Sequence, residues 1–204
     1  MSRYNKLPFE RGRSAFQNQA TSDWDITSLA HLEGQKVYLP NIDPANPEVR
    51  RNGTDVVAVI VRNDSGAALT PGTPLWWKTG YHGTRVDHTA AGADNPICGF
   101  VDDHLPSGGV QDDDLFYMVV EGPVLAKTRT GGTGHATVDG NAVLQEGGLV
   151  TNAATTEGTI EAAAALADAD GNEATIQWNI CGRVIASGNT VLGTDTLINV
   201  KLNA

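Results

Sequence analysis

Two runs in this chain are apolar at every position and too short for a confident helix: Val56-Val57-Ala58-Val59-Ile60-Val61 and Leu115-Phe116-Tyr117-Met118-Val119-Val120. A strand with one wet face alternates apolar and polar residues, whereas an unbroken, β-branched-rich run reads as a strand covered on both faces. Whatever sheet these runs join must therefore carry a second layer on each side. Turn formers separate the runs. Asn63-Asp64-Ser65-Gly66 and Thr70-Pro71-Gly72-Thr73-Pro74 supply Asx and Gly chemistry for tight reversals. Leu75-Trp76-Trp77-Lys78 is a short strand between turns. Further on, Ile176, Trp178 and Ile180 alternate with polar residues, as do Ile198, Val200 and Leu202. Both patterns have period two, with one dry and one wet face. Glycine, at 23 of 204 residues, is about 11% against a typical ~7%. The one good helix is Thr159 to Ala167, Ala-rich and ended by Asp170-Gly171-Asn172. Short strands, tight turns and a single short helix predict a mainly β chain.

Residues 1–53 have a different texture. Their apolar residues are scattered, and Pro40, Pro44 and Pro47 favour extended or turn geometry. Only a helical turn is expected, from Thr27 or Ser28 as N-cap through Leu29 and Leu32 to Gly34. This segment reads as an extended N-terminal arm preceding a β-rich body at 54–204. Such an arm cannot build a core alone, so Phe9, Phe16 and Trp24 need a partner surface, either the rest of the chain or another protein. Charge divides the same way. Residues 1–51 hold 7 Lys+Arg and 6 Asp+Glu, a balance of +1, and residues 52–204 hold 7 and 18, a balance of -11, which together give the net -10. Arg3, Lys6, Arg11 and Arg13 against Glu10 make the first 13 residues +3. They form either a solvated tail or a docking arm for an acidic partner.

Several function classes are disfavoured. An acidic chain is a poor non-specific ligand for nucleic acid. No run of about 18 apolar residues is present to span a membrane. The stretch MSRYNKLPFERGR lacks the apolar centre of a secretory signal. Two cysteines are too few for a disulfide framework, and a reducing compartment is the simpler reading.

The chemistry-bearing residues are sparse. His82 and His88 are six apart, which fits no standard metal spacing. Asp102-Asp103-His104 and Asp112-Asp113-Asp114 offer carboxylates to a divalent cation but lack the alternation of a calcium loop, so solvated acidic loops are expected. Cys98 and Cys181, in apolar segments, are expected to be buried and inert. No nucleophile elbow and no dinucleotide-binding glycine motif occurs. No catalytic residue, metal ligand or cofactor is assigned. Trp76 and Trp77 project to opposite faces of one strand. One indole fills the core and the other needs cover from a neighbouring element or subunit, or serves as a sugar-stacking platform. Trp76, Trp77 and Trp178 are thus the candidate core or subunit-interface aromatics.

A faint internal repeat spans about 71–120 and 147–202. Ile97-Cys98-Gly99-Phe100-Val101 precedes the strand at Leu115, and Ile180-Cys181-Gly182-Arg183-Val184 precedes the segment at Leu197. The spacings from cysteine are 17 and 16 positions. A strand–loop–strand unit used twice is expected, each Gly after Cys serving a bend or bulge.

In order along the chain, Asp55 to Val61, Ala67 to Leu75, Ile97 to Val101, Glu146 to Thr155 and Ile180 to Ala186 resemble the short β units of tailed-bacteriophage capsid decoration, or cement, proteins. The resemblance covers about residues 54–204. It implies a small β-barrel-like or β-tulip-like body without enzymatic activity. It also implies a homotrimer on the capsid exterior that bridges major capsid protein subunits and is present in the host cytoplasm during assembly. The arm is not matched. Its expected capsid-contact residues, Arg3, Lys6, Phe9, Arg11, Arg13, Phe16 and Trp24, are inferred from composition. A carbohydrate-binding β module, or another virion component such as a head fibre, is the alternative.

Overall fold

The computed structural model describes residues 7–15, 29, 31–51, 53–88, 96–130, 134, 136–147, 149–152, 158–163 and 180–202. It is mainly β. The strands are β1 (Lys36–Leu39), β2 (Ile42–Asp43), β3 (Asn46–Arg50), β4 (Val56–Asn63), β5 (Pro74–Trp77), β6 (Arg85–Asp87), β7 (Gly99–Val101), β8 (Leu115–Ala126), β9 (Ala136–Val138), β10 (Asn141–Leu144), β11 (Leu149–Asn152), β12 (Ile160–Ala162), β13 (Ile180–Val184), β14 (Thr190–Val191) and β15 (Thr196–Lys201).

The two unbroken apolar runs are β4 and the first half of β8, and they lie side by side. They pair antiparallel, with Ile60 opposite Tyr117 and Val61 opposite Phe116. Five strands close a circuit around them. β4 pairs with β6, β6 with β5, β5 with β7, β7 with β8, and β8 returns to β4. The double-sided burial read from the sequence has a concrete cause. Val59 and Val61 of β4 and Phe116, Met118 and Val120 of β8 face one core, shared with Leu75, Val86 and Val101 of the other circuit strands. Val56, Ala58, Ile60, Leu115, Tyr117 and Val119 face a second core on the opposite side of the same two strands. Alternate residues of one strand point to opposite faces, so both sets are buried only because both faces are covered.

The second core is closed by the C-terminal strands. β8 runs on past Gly122, whose φ is +101°, and its second half pairs with β15 from Thr196 opposite Ala126 to Lys201 opposite Glu121. A Cβ at Gly122 would stand 2.9 Å from the Asp55 carbonyl oxygen, closer than side chains approach backbone. β15, β13, β11 and β12 continue this sheet, bringing Ile198, Val200, Val184, Val150 and Ile160 to the second core.

The alternation expected at the C-terminus is present: along β15, Thr196, Ile198 and Val200 are buried and the residues between them are more exposed. The Ala-rich stretch behaves differently. Where it is described it is strand, not helix: Ile160–Ala162 form β12, antiparallel to β11, and residues 164–167 lie outside the described residues. Ile160 and Ala162, two positions apart, both enter the second core, so tertiary burial at period two overrides the helix propensity of alanine. The helical turn is present as a short 3₁₀ turn at Leu29, His31 and Leu32, followed by Gly34 at φ +83°.

The two Cys-Gly units both open antiparallel pairs, β7 with β8 and β13 with β15. Their glycines do not make bends, since neither Gly99 nor Gly182 has positive φ. They admit a close neighbour instead. A Cβ on Gly99 would meet Met118 Cγ at 2.3 Å, and one on Gly182 would meet the Asn199 carbonyl oxygen at 2.8 Å. A bulge does occur in the second unit. Val150 faces Gly182 and Thr151 faces Ile180, which leaves Cys181 as the extra residue.

Candidate functional site: a buried carboxylate cluster that fastens the N-terminal segment

Residues 7–51, where described, are built onto the rest of the chain. β1 pairs along β4, with Lys36 opposite Val59 and Leu39 opposite Val56, and Leu32 and Leu39 are buried in the second core. Ahead of β1, residues 7–15 cross the outer side of Tyr117. The Phe9 ring stacks on the Tyr117 ring with centroids 4.4 Å apart and planes 18° from parallel. The Tyr117 hydroxyl donates to the Phe9 carbonyl oxygen at 2.7 Å. Burial leads in pushing the Tyr117 phenol up to about 12. Ala15 exchanges two backbone hydrogen bonds with Leu115, of 2.9 and 3.1 Å, and the Ser14 hydroxyl donates to Asp114 Oδ2 at 2.7 Å.

The polar centre of this contact is Asp102-Asp103-His104, which follows β7. The Asp102 side chain is 1% exposed and the Asp103 side chain 2%. Arg11 grips Asp102 with two parallel bonds, Nε to Oδ2 and Nη2 to Oδ1, both 2.9 Å. Its remaining terminal nitrogen donates to the Pro40 carbonyl oxygen at 2.5 Å. Arg51 donates to Asp103 Oδ2 at 2.6 Å and, through Nε, to Asn41 Oδ1 at 3.1 Å. The Leu125 amide gives Asp103 a further bond of 2.8 Å. His104 Nδ1 lies 3.0 Å from Asp103 Oδ1 and 3.3 Å from Asp102 Oδ1. A forked guanidinium matches a carboxylate edge to edge, and here both forks come from the N-terminal segment.

The electrostatics follow from this packing. Burial pushes both carboxyls up, but bonds from His104 and from the two arginines outweigh it, and Asp102 and Asp103 stay below the ordinary carboxylate range. Burial pulls His104 down, and the two carboxylates more than reverse this, so its pKa is raised. The three residues place one ligand atom each within 4.8 Å of one another, a spacing open to a cation. In this structure each carboxylate is instead paired with a guanidinium group, Asp102 with Arg11 and Asp103 with Arg51. The expectation of solvated acidic loops is corrected for this run, because the acids are buried and paired.

The remaining candidates are scattered. Arg13 is an exposed partner of Glu10, its side chain 76% exposed. Arg3, Lys6, Phe16, Trp24 and Trp178 lie outside the described residues. Trp76 is 5% exposed and Trp77 is partly buried against the circuit core, so neither stands free as a sugar platform. Cys98 and Cys181 are free thiols, one in each core. Burial raises both pKa values, that of Cys181 to about 12. The fastening role of Arg11 and Arg51 had one signal in the sequence, the positive balance of the first 51 residues against the acidic remainder. No protein-family model matches the chain, and no curated protein matches it.

Proposed function

We propose that this chain is a structural virion protein that binds the outer surface of a tailed-phage capsid and stabilises it by bridging major capsid protein subunits, acting as a homotrimer. The observation that carries the reading is how the chain uses the buried ionisable side chains around Asp102 and Asp103. Asp102, Asp103, Arg11 and Arg51 are committed to holding the N-terminal segment on a two-core β scaffold, a use suited to adhesion rather than turnover. The ordered resemblance of residues 54–204 to decoration proteins supports the same reading. A stable shell contact of this kind buries at least about 2,000 Å², and a scaffold that is already ordered avoids most of the ~1–2 kcal/mol per residue that ordering a free segment costs. In this reading Phe9 and Arg11 anchor the segment to its own body, and Arg3, Lys6 and Arg13 are left to contact the shell.

The test is co-sedimentation of the full chain with expanded empty shells, read by electron microscopy. Density on the outer surface at local three-fold positions is expected. Protein that stays in the supernatant as a monomer at shell-saturating concentration overturns the proposal.

A further inference from the structure

The chain builds the same strand circuit twice. In the first, β4 meets β6 in parallel, and the pairs β6–β5, β5–β7, β7–β8 and β8–β4 are antiparallel. In the second, Thr128, just past β8, meets Ile160 of β12 in parallel, and the pairs β12–β11, β11–β13, β13–β15 and β15–β8 are antiparallel. The registers agree residue by residue. Asn63 and Trp77 both lie opposite Val86, as Thr128 and Asn152 both lie opposite Ile160. Leu75 lies opposite Gly99, as Val150 lies opposite Gly182. Met118 lies between Val101 and Val59, as Ile198 lies between Val184 and Val124. The turn glycines match too: Gly72 and Gly147, at φ +74° and +79°, donate their amides to the Val101 and Val184 carbonyls. β8 is therefore the last strand of one unit and the first of the next, a repeat whose units share a neighbour.

Equivalent units present equivalent outer faces. On the first unit that face holds Ile60, Phe100 and Tyr117, all buried. An extended segment of the chain lies over it: Phe9 stacks on Tyr117, Arg11 pairs with Asp102 and Ala15 bonds the Leu115 backbone. The matching positions on the second unit are Leu125, Arg183 and Leu197. Leu125 is 37% exposed, Leu197 is half-buried and Arg183 is exposed. Leu125 and Leu197 are directly opposite each other, and Leu149, also 37% exposed, is directly opposite Arg183. Cross-strand neighbours share a face, so these side chains form a surface with apolar groups and one guanidinium. The two faces differ in chemistry. The Asp102 and Ile185 amides bond the Tyr117 and Leu197 carbonyls in matching positions, so Ile185 and Ala186 stand where the first unit has the two aspartates that hold Arg11 and Arg51. Arg183 stands where the first unit has Phe100, with its Nη1 donating to the Gly147 carbonyl at 2.9 Å. The second face is thus suited to an extended segment that brings apolar side chains and a carboxylate in place of an arginine.

We infer that the outer face of the second unit, around Leu125, Leu149, Arg183 and Leu197, docks an extended segment of a partner protein that carries apolar side chains and a carboxylate. This docking is independent of the capsid reading. A surface-displayed library of short random peptides is selected on the immobilised full chain. The strongest binder is then titrated into the chain while amide chemical shifts are followed. Enrichment of sequences that combine apolar residues with Asp or Glu is expected, with saturable shifts centred on Leu125, Ile185 and Leu197. Leu125→Glu and, separately, Arg183→Glu are each expected to weaken binding at least about tenfold. Both replace exposed side chains, melting curves check their folding, and Arg183→Glu carries the test should Leu125→Glu misfold. Val138→Glu, at an exposed valine of the separate three-stranded sheet, leaves binding unchanged. A blocked peptide of residues 7–15, the segment a second copy would offer, is expected to bind at least about tenfold more weakly than the selected peptide. No enrichment, a basic consensus, shifts centred elsewhere, equal or tighter binding of the 7–15 peptide, or wild-type affinity in the folded variants overturns the inference.

Discussion

Replacing Arg11 by methionine isolates the fastening contact. The substitution keeps a long apolar stem and deletes the guanidinium. Asp102 then remains 1% exposed with His104 as its nearest cationic partner. Breaking one side of a buried pair costs about 3–5 kcal/mol, because the surviving charge is left in a poorly solvating site. His104 compensates in part, which places the expected loss near the lower end, about 3 kcal/mol. For a chain of this length each kcal/mol moves Tm by roughly 2–4 °C, so a fall of about 6–12 °C is expected. The assay is urea unfolding with thermal melts in parallel, at pH 7 and at lower pH. The sign of the pH effect is decisive. In the wild type, Asp102 sits below the ordinary carboxylate range. Its contribution is therefore complete above the unfolded value of about 3.9 and is lost as pH falls through the lower folded value. Without Arg11 the leading influence on Asp102 is burial, which favours the neutral acid. Protonation then relieves the variant while it harms the wild type, so the gap between them narrows as pH falls. Asp102→Asn in the Arg11→Met background is expected to recover part of the loss at pH 7. A variant within about 0.5 kcal/mol of wild type, or a gap that widens in acid, refutes the reasoning.

Other consequences are simpler to measure. Gly72 and Gly140 have nearly the same φ, +74° and +78°, but a Cβ on Gly72 would stand 2.3 Å from the Leu125 carbonyl oxygen and one on Gly140 meets nothing within 4 Å. Gly140→Ala is expected to cost about 1 kcal/mol of backbone strain, and Gly72→Ala clearly more, in paired urea titrations. Both thiols are buried with raised pKa values, so an aromatic disulfide reagent at pH 8 is expected to label neither in native protein and both in denaturant. Rapid labelling of the native chain contradicts the packing. His104 has a raised pKa, so its contribution is complete below about 6.5 and is lost as pH rises through the higher folded value. His104→Gln is expected to flatten that alkaline slope in wild-type melting curves.

The elements most legible from sequence are those whose cause is local. β4 and β8 are unbroken apolar runs bounded by turn residues, and β15 alternates, so period and length alone place them. β12 was masked by alanine, whose helix propensity is a local signal, whereas the burial of Ile160 and Ala162 depends on strands far along the chain. The glycines after Cys98 and Cys181 were visible as special positions. Their purpose was not, because the atoms that exclude a side chain belong to Met118 and Asn199. The carboxylate cluster was the least legible. Arg11 and Asp102 are 91 positions apart, and no periodicity links them. Two adjacent aspartates beside a histidine in a Gly- and Pro-containing loop look solvated until the chain's own arginines are placed over them.

Residues 7–15 and 31–51 are part of the folded body rather than a free appendage. Amide hydrogen exchange of the isolated chain tests this at Ala15, Leu115 and Ile60, whose amides bond the Leu115, Ala15 and Gln35 carbonyl oxygens. Ala15 is expected to exchange far more slowly than an unstructured peptide, and Arg11→Met is expected to speed Ala15 much more than it speeds amides deep in β8. Exchange of Ala15 at the unstructured rate, with the β8 core fully protected, would contradict it.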